Sequence, residues 1–173
     1  MDKTALYKIG YGLYIVASHR GEKLNGQIAN TVFQITAEPP TLAVSVNRDN
    51  LTWEYINESK VFSVTALCEA APMEFIGRFG FHTGRVTDKF QGINYRIGTS
   101  GAPVVLDHAV AVFEAKVTNF VDVGTHTVFI GEVVNADIVS HETCMTYEHY
   151  HLIKGGKTPK NAATYIGDTP KTA

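Results

Sequence analysis

The sequence predicts an all-β barrel with minor helices packed on it, and three observations carry that prediction. Over Ala109–Val121 the pattern alternates: Ala109, Ala111, Phe113, Ala115 and Val117 take one face, and Glu114, Lys116 and Thr118 the other. That period of two belongs to a strand. After Asp122-Val123-Gly124 comes Thr125–Ile138, nearly apolar on both faces through Val128, Ile130, Val133 and Val134. Both runs exceed the usual strand length of ~5–6 residues, and a strand covered on both sides belongs inside a barrel and against a second subunit. Finally, Glu38-Pro39-Pro40 separates two apolar runs, a break that no helix tolerates.

The elements follow in order. A short helix is expected before Gly10. Gly12–Ser18 is β-branched and aromatic and stops at the turn signal Arg20-Gly21-Glu22. Gln27–Thr36 and Thr41–Val46 read as strands on either side of the Pro-Pro break. Within the first of them, Asn30-Thr31 sets two small hydrogen-bonding residues between apolar stretches. These are either turn chemistry or a backbone that holds something. Leu51–Ser59 reads as a helix with Thr52 near its start, and Val61–Leu67 as a buried strand. Ala71–Phe79 reads as a second helix with Pro72 in its first turn. Residues 1–153 are expected to form the barrel domain. Lys154–Ala173 loses the hydrophobic pattern, gains Gly, Pro, Lys and Thr, and is expected as an extended tail anchored at Tyr165-Ile166.

Composition narrows the function classes. The chain has 173 residues, 45% of them apolar and 18% charged, which suits one domain with a sizeable core. Its net charge is −2 with no basic cluster, so no nucleic-acid partner is expected. No run reaches the ~20 apolar residues of a membrane span. Met1-Asp2-Lys3-Thr4 does not open a signal peptide, so a cytoplasmic setting is expected. Cys68 and Cys144 form no CxxC and read as reduced thiols. His141, His149 and His151 lack tetrahedral ligand spacing, so no metal is expected. Walker, dinucleotide and serine-nucleophile motifs are missing too. What that leaves open is an enzyme whose cofactor carries the chemistry, with the protein supplying position and electrostatics.

Four segments point the same way. Gly26–Pro40 (GQIANTVFQITAEPP), Val61–Leu67 (VFSVTAL), Phe79–Gly92 (FGFHTGRVTDKFQG) and Asp122–Val133 (DVGTHTVFIGEV) occur in an order and spacing that resembles the flavin reductase-like, FMN-binding split-barrel family. Within it, the flavoprotein portion of high-molecular-weight rubredoxins and flavoredoxin-like proteins is the nearest likeness, over roughly Lys3 to Ala163. The resemblance implies a Greek-key split β-barrel, a homodimer, bound FMN, and NAD(P)H as electron donor.

The resemblance also implies site residues. Ile28, Ala29, Asn30, Thr31 and Val32 match positions that contact flavin through the backbone, and Gln34 stands where the family often has Ser or Thr. Asn47 and Arg48 follow the third strand. Thr52 matches a phosphate-binding Ser or Thr, while Arg85 and Lys89 look like the phosphate's basic partners. His126 matches a histidine on the side where nicotinamide would stack. Without the resemblance, Thr52 reads as a helix cap, Arg85 and Lys89 as surface charges beside Asp88, Asn30-Thr31 as a turn, and His126 as a packing residue. Three readings stand: an FMN-dependent NAD(P)H oxidoreductase passing electrons to flavin, rubredoxin or another acceptor; an electron-transfer flavoprotein reduced by a protein partner; and a non-catalytic flavin- or heme-binding barrel. With no CxxC pair in these residues, a rubredoxin is expected as a separate polypeptide, or else the electrons go elsewhere.

Overall fold

Asn30 and Thr31 are the point at which the chain changes edges of its sheet. In the computed structural model, which describes residues 1–167, one seven-stranded antiparallel sheet has the order β2-β1-β5-β8-β9-β4-β3. Its strands are β1 (Tyr14–Arg20), β2 (Lys23–Ala29), β3 (Val32–Ala37), β4 (Pro40–Asn47), β5 (Val61–Leu67), β8 (Ala109–Val123) and β9 (His126–Ile138). β2 and β3 are thus opposite edges, yet only two residues join them. Laid flat, six strand spacings of about 4.8 Å would hold those edges about 29 Å apart. The step from Ala29 to Val32 reaches at most about 11 Å. The sheet must therefore curl until its edges nearly meet, and because β2 and β3 form no ladder the barrel stays split. Where a single strand Gln27–Thr36 is expected, there are two strands at opposite edges, linked by the polar pair.

Register explains which side chains fill the barrel. β1 pairs Val16 with Gln27 and Tyr14 with Ala29, and β4 pairs Val44 with Phe129 of β9. Val16, Ala29, Val44, Val46, Ile56, Phe62, Val64 and Phe129 form one buried cluster. Burying a side chain such as Phe62 or Phe129 contributes on the order of 2–3 kcal/mol. The opposite face of β1 and β2 carries Ile15, Ala17 and Ile28 and packs on α2 (Met73–Gly80), which contributes Phe75, Ile76 and Phe79. Between the two layers every residue of β5 is buried. Its Ser63 and Thr65 hydroxyls donate to the Pro103 and Val105 carbonyls at 2.5 and 3.0 Å. These bonds tie down a two-stranded ribbon, β6 (Tyr95–Ile97) with β7 (Pro103–Val105), that no sequence pattern announced.

The long hairpin β8–β9 and the helix α1 (Leu51–Ser59) lie where periodicity places them. A 3₁₀ turn over Lys3–Lys8 precedes Gly10. Pro72 stands one residue earlier than expected, at the cap of α2 and not in its first turn. A third helix, α3 (Tyr147–Leu152), starts at Thr146, whose hydroxyl accepts the His149 amide at 3.0 Å. Residues 154–167 form no regular element and run along the mouth of a cavity. The remaining tail residues lie outside the described part of the chain.

Candidate functional site

Three chain segments that are distant in sequence meet at one end of the barrel around a cavity of about 310 Å³. The first is β2, where strand alternation places Asn25, Gln27 and Ala29 on one face, leading to Asn30 at the edge crossing. The second is the start of α1, which contributes Asn50, Leu51 and Thr52. Asn50 is the cap and its side chain makes no cap bond, so the first backbone N–H groups of the helix are left for another acceptor. Thr52 is not the cap. Buried in the first turn, it accepts the Asn25 side-chain amide at 2.8 Å. The third segment, from the end of α2 to Lys89, supplies Phe79, Gly80, His82 and Gly84.

Lys89 is the most unusual group in this wall. It is only 5% exposed, and its Nζ donates to the Gly26 and Phe79 carbonyls at 2.9 and 3.2 Å. Among the described residues no carboxylate is paired with it. Burial lowers its pKa to about 8. Two acceptors nearby are equally incomplete: Asn25 Oδ1 and Gln27 Oε1 are buried without a hydrogen-bond partner. A Cβ at Gly84 would land on Asn25 Oδ1 and lie 2.8 Å from Asn25 Cγ, so a side chain there would displace Asn25. A buried cation, an open helix N-terminus and orphaned acceptors form a donor–acceptor set that fits a polar, anionic ligand.

The far wall is built by β9 and the chain's last described stretch. His126 opens β9, and its Nδ1 lies 2.9 Å from the Thr125 hydroxyl while Nε2 lies 3.3 Å from the Asn161 carbonyl. A carbonyl only accepts, so Nε2 carries the proton and Nδ1 accepts from Thr125. Burial lowers the His126 pKa and the Asn161 carbonyl partly offsets this, so the site favours the neutral ring. Residues 157–163 form a strap across the mouth. It is fastened at Tyr150, whose hydroxyl donates to the Lys157 carbonyl at 3.0 Å, and at Tyr147, 2.6 Å from the Thr158 hydroxyl. Asn30 closes the other end by donating to the Thr164 hydroxyl at 2.7 Å.

Of the residues expected at a site, Ile28, Ala29, Asn30, Asn47, Thr52, Lys89 and His126 line this cavity together. Thr31, Val32, Gln34, Arg48 and Arg85 do not. Thr31 donates to Asn30 Oδ1 at 3.1 Å, and its carbonyl accepts the Ser45 amide at 3.1 Å. Val32 and Gln34 border a second, mainly apolar cavity of about 760 Å³. Arg48 donates to the Gly124 carbonyl at 2.7 Å. Arg85, expected beside Lys89, is instead at the surface and paired with Glu54. The structure adds Asn25, Gln27, Tyr147, Tyr150 and the strap. Asn25 and Gln27 had a signal, two polar residues at i and i+2 on a strand that otherwise faces the core. The strap had none.

Comparison with known proteins now decides the family. Residues 6–154 match the flavin reductase like domain. The chain belongs to that family. A ferric-chelate reductase (NAD(P)H) from Archaeoglobus fulgidus is 51% identical over 166 residues, spanning 96% of this chain and 98% of the relative. A high molecular weight rubredoxin from Moorella thermoacetica is 48% identical over 165 residues, spanning 95% of this chain and 72% of that protein. The fold matches that of an FMN-binding protein from Thermus thermophilus, with a TM-score of 0.71 at 23% identity over 78% of this chain and 74% of the other. The expected split-barrel class of the flavin reductase family is the class observed. Among the described residues no helix is long and apolar enough to cross a membrane, and no group of three His, Cys, Asp or Glu side chains could hold a metal.

Proposed function

We propose that this flavin reductase-like chain is an FMN-dependent oxidoreductase that takes electrons from NAD(P)H and passes them to a flavin, a rubredoxin or another acceptor. One observation carries the reading: a buried lysine without a carboxylate lies at the wall of a cavity that also holds a helix N-terminus and unpartnered acceptors. In this reading Lys89 and the first N–H groups of α1 hold the FMN phosphate, with Thr52 oriented by Asn25. Asn25 Oδ1 and Gln27 Oε1 accept from the hydroxyl and N–H donors of the cofactor. The backbone at Ile28–Asn30 would line the ring system, together with Asn47 at the end of β4.

Held by these residues, FMN would supply the hydride and electron-transfer chemistry that the side chains themselves lack. The chain's own residues bind, orient and exclude water. The His126 ring is held between Thr125 and Asn161 and would form a wall for the nicotinamide. The strap with Lys157 and Lys160 limits access to the mouth. The relatives' names support a nicotinamide donor and make a ferric chelate and a rubredoxin the acceptors to assay first.

A homodimer in the cytoplasm is part of the same proposal. The homodimer is supported by exposed apolar side chains on β3 (Phe33 and Ile35) and at the end of β8 (Phe120, Val121 and Val123), which a second subunit would cover. The deciding experiment mixes FMN-loaded protein anaerobically with NADH and then NADPH while the flavin absorption is followed. Rapid bleaching by either nucleotide is expected. Stable FMN binding with no bleaching by either one would overturn the nicotinamide assignment.

A further inference from the structure

The two cysteines are 76 positions apart in sequence and face each other in space. Beyond the end of β5, Cys68 forms an isolated antiparallel bridge with Cys144, just before α3. The flanking bonds fix the type of bridge. Met145 N donates to the Leu67 carbonyl at 2.8 Å, and Glu69 N donates to the Thr143 carbonyl at 2.9 Å. Those donors belong to the neighbours of the two cysteines, so Cys68 and Cys144 are a non-hydrogen-bonded pair. Such pairs bring Cα atoms to about 4.5 Å with side chains on one face. That separation lies within the roughly 4.4–6.8 Å that a disulfide spans. Both thiols are free, Cys68 buried and Cys144 exposed.

We infer that Cys68 and Cys144 form a redox-controlled staple that locks α3, and with it the Tyr147–Tyr150 wall of the cavity, onto the end of β5. The oxidant is a small-molecule disulfide. The exposed Cys144 thiolate attacks one sulfur of that disulfide, forming a mixed disulfide and releasing one small thiol. Cys68 then attacks Cys144 Sγ, the protein disulfide forms, and the second small thiol leaves. The protein gives up two electrons and two protons, and the reagent takes both. Exposure sets the order of attack. Burial, with Glu142 beside it, pushes the Cys68 thiol up, which suits it to the resolving step and not the first attack.

The location gives the bond its effect. Met145, next to Cys144, is buried in the core, and Thr146 caps α3. Three residues beyond Cys144, Tyr147 begins the helix whose tyrosines fasten the strap. A covalent link at Cys144 removes the freedom of this segment to lift from β5, and it closes a loop of more than seventy residues in the unfolded chain. Neither step involves flavin, so the test is independent of the proposed function.

The experiment incubates the full-length protein, folded, with hydroxyethyl disulfide, then quenches with N-ethylmaleimide under denaturing conditions. The expected product is lighter by about 2 Da, carries no maleimide, and yields a Cys68–Cys144 cross-linked peptide. Its melting temperature rises by roughly 5–15 °C, reversed by dithiothreitol. Amide hydrogen exchange over residues 145–158 slows. Cys68→Ser is expected to stop at the mixed disulfide on Cys144, and Cys144→Ser to stay unmodified. Wild-type protein that stops at the mixed disulfide, or that links two chains through Cys144, would overturn the inference. A cross-link that leaves both the melting temperature and the exchange unchanged would overturn the staple.

Discussion

Raising the pH from 7 to 9 is the perturbation that most directly tests the assignment of Lys89. With its pKa lowered to about 8 by burial, the protonated fraction in the empty protein falls from about nine-tenths to about one-tenth over that range. The second phosphate proton of FMN leaves near pH 6, so the ligand's phosphate charge is constant. If the complex keeps Lys89 charged, FMN affinity should fall by up to about tenfold between pH 7 and 9, or about 1.4 kcal/mol. Lys89→Met should weaken binding roughly 10- to 150-fold at pH 7, the ~1.5–3 kcal/mol of a charge-assisted hydrogen bond, and should flatten the pH dependence. Stability of the empty protein runs the other way. The unfolded lysine holds a proton that the folded one has released between about pH 8 and pH 10, so wild-type stability should rise with pH across that window. Fluorescence titration of FMN against both proteins, with thermal melts at each pH, reads all three effects. Wild type and Lys89→Met losing affinity in parallel with pH would refute the reasoning.

Other positions give independent checks. His126→Ala should slow reduction by the nicotinamide nucleotide roughly 10- to 100-fold while changing FMN affinity less, as stopped-flow rates set against equilibrium titration will show. Gly84→Ala should displace the Asn25 side chain, weaken FMN binding and cost about 1–3 kcal/mol in a denaturant titration. Glu114 is fully buried. Burial raises its pKa, but the Ser100 backbone amide, with Asn135, the Ser100 hydroxyl and Arg96, draws it below the usual carboxylate range. Its stabilisation is therefore present above the unfolded carboxyl's pKa and is lost as the pH falls through the folded one. Glu114→Ala should cost on the order of 3 kcal/mol at pH 7 and should loosen the β6–β7 ribbon that Arg96 and Ser100 anchor.

Local pattern alone determined much of this protein. The alternation of Ala109–Val121, the apolar run after Gly124, the Pro-Pro break and the Leu51–Ser59 helix all depend on neighbours within a few residues, and they appear as elements where the sequence places them. The order of four segments was enough for the family. Tertiary structure decided the rest, because it depends on which strands meet. Gln27–Thr36 has the pattern of one strand, and only closure of the barrel makes Asn30-Thr31 a crossing between edges. Lys89 and Arg85 look alike as basic residues on one loop. Packing buries the first against two carbonyls, while Glu54 from α1 captures the second. Residues 157–163 carry no hydrophobic period, so nothing local reveals that Tyr147, Tyr150 and Asn30 draw that part of the chain across the cavity. The same holds for Cys68 and Cys144, whose pairing arises from a bridge between segments that share no sequence signal.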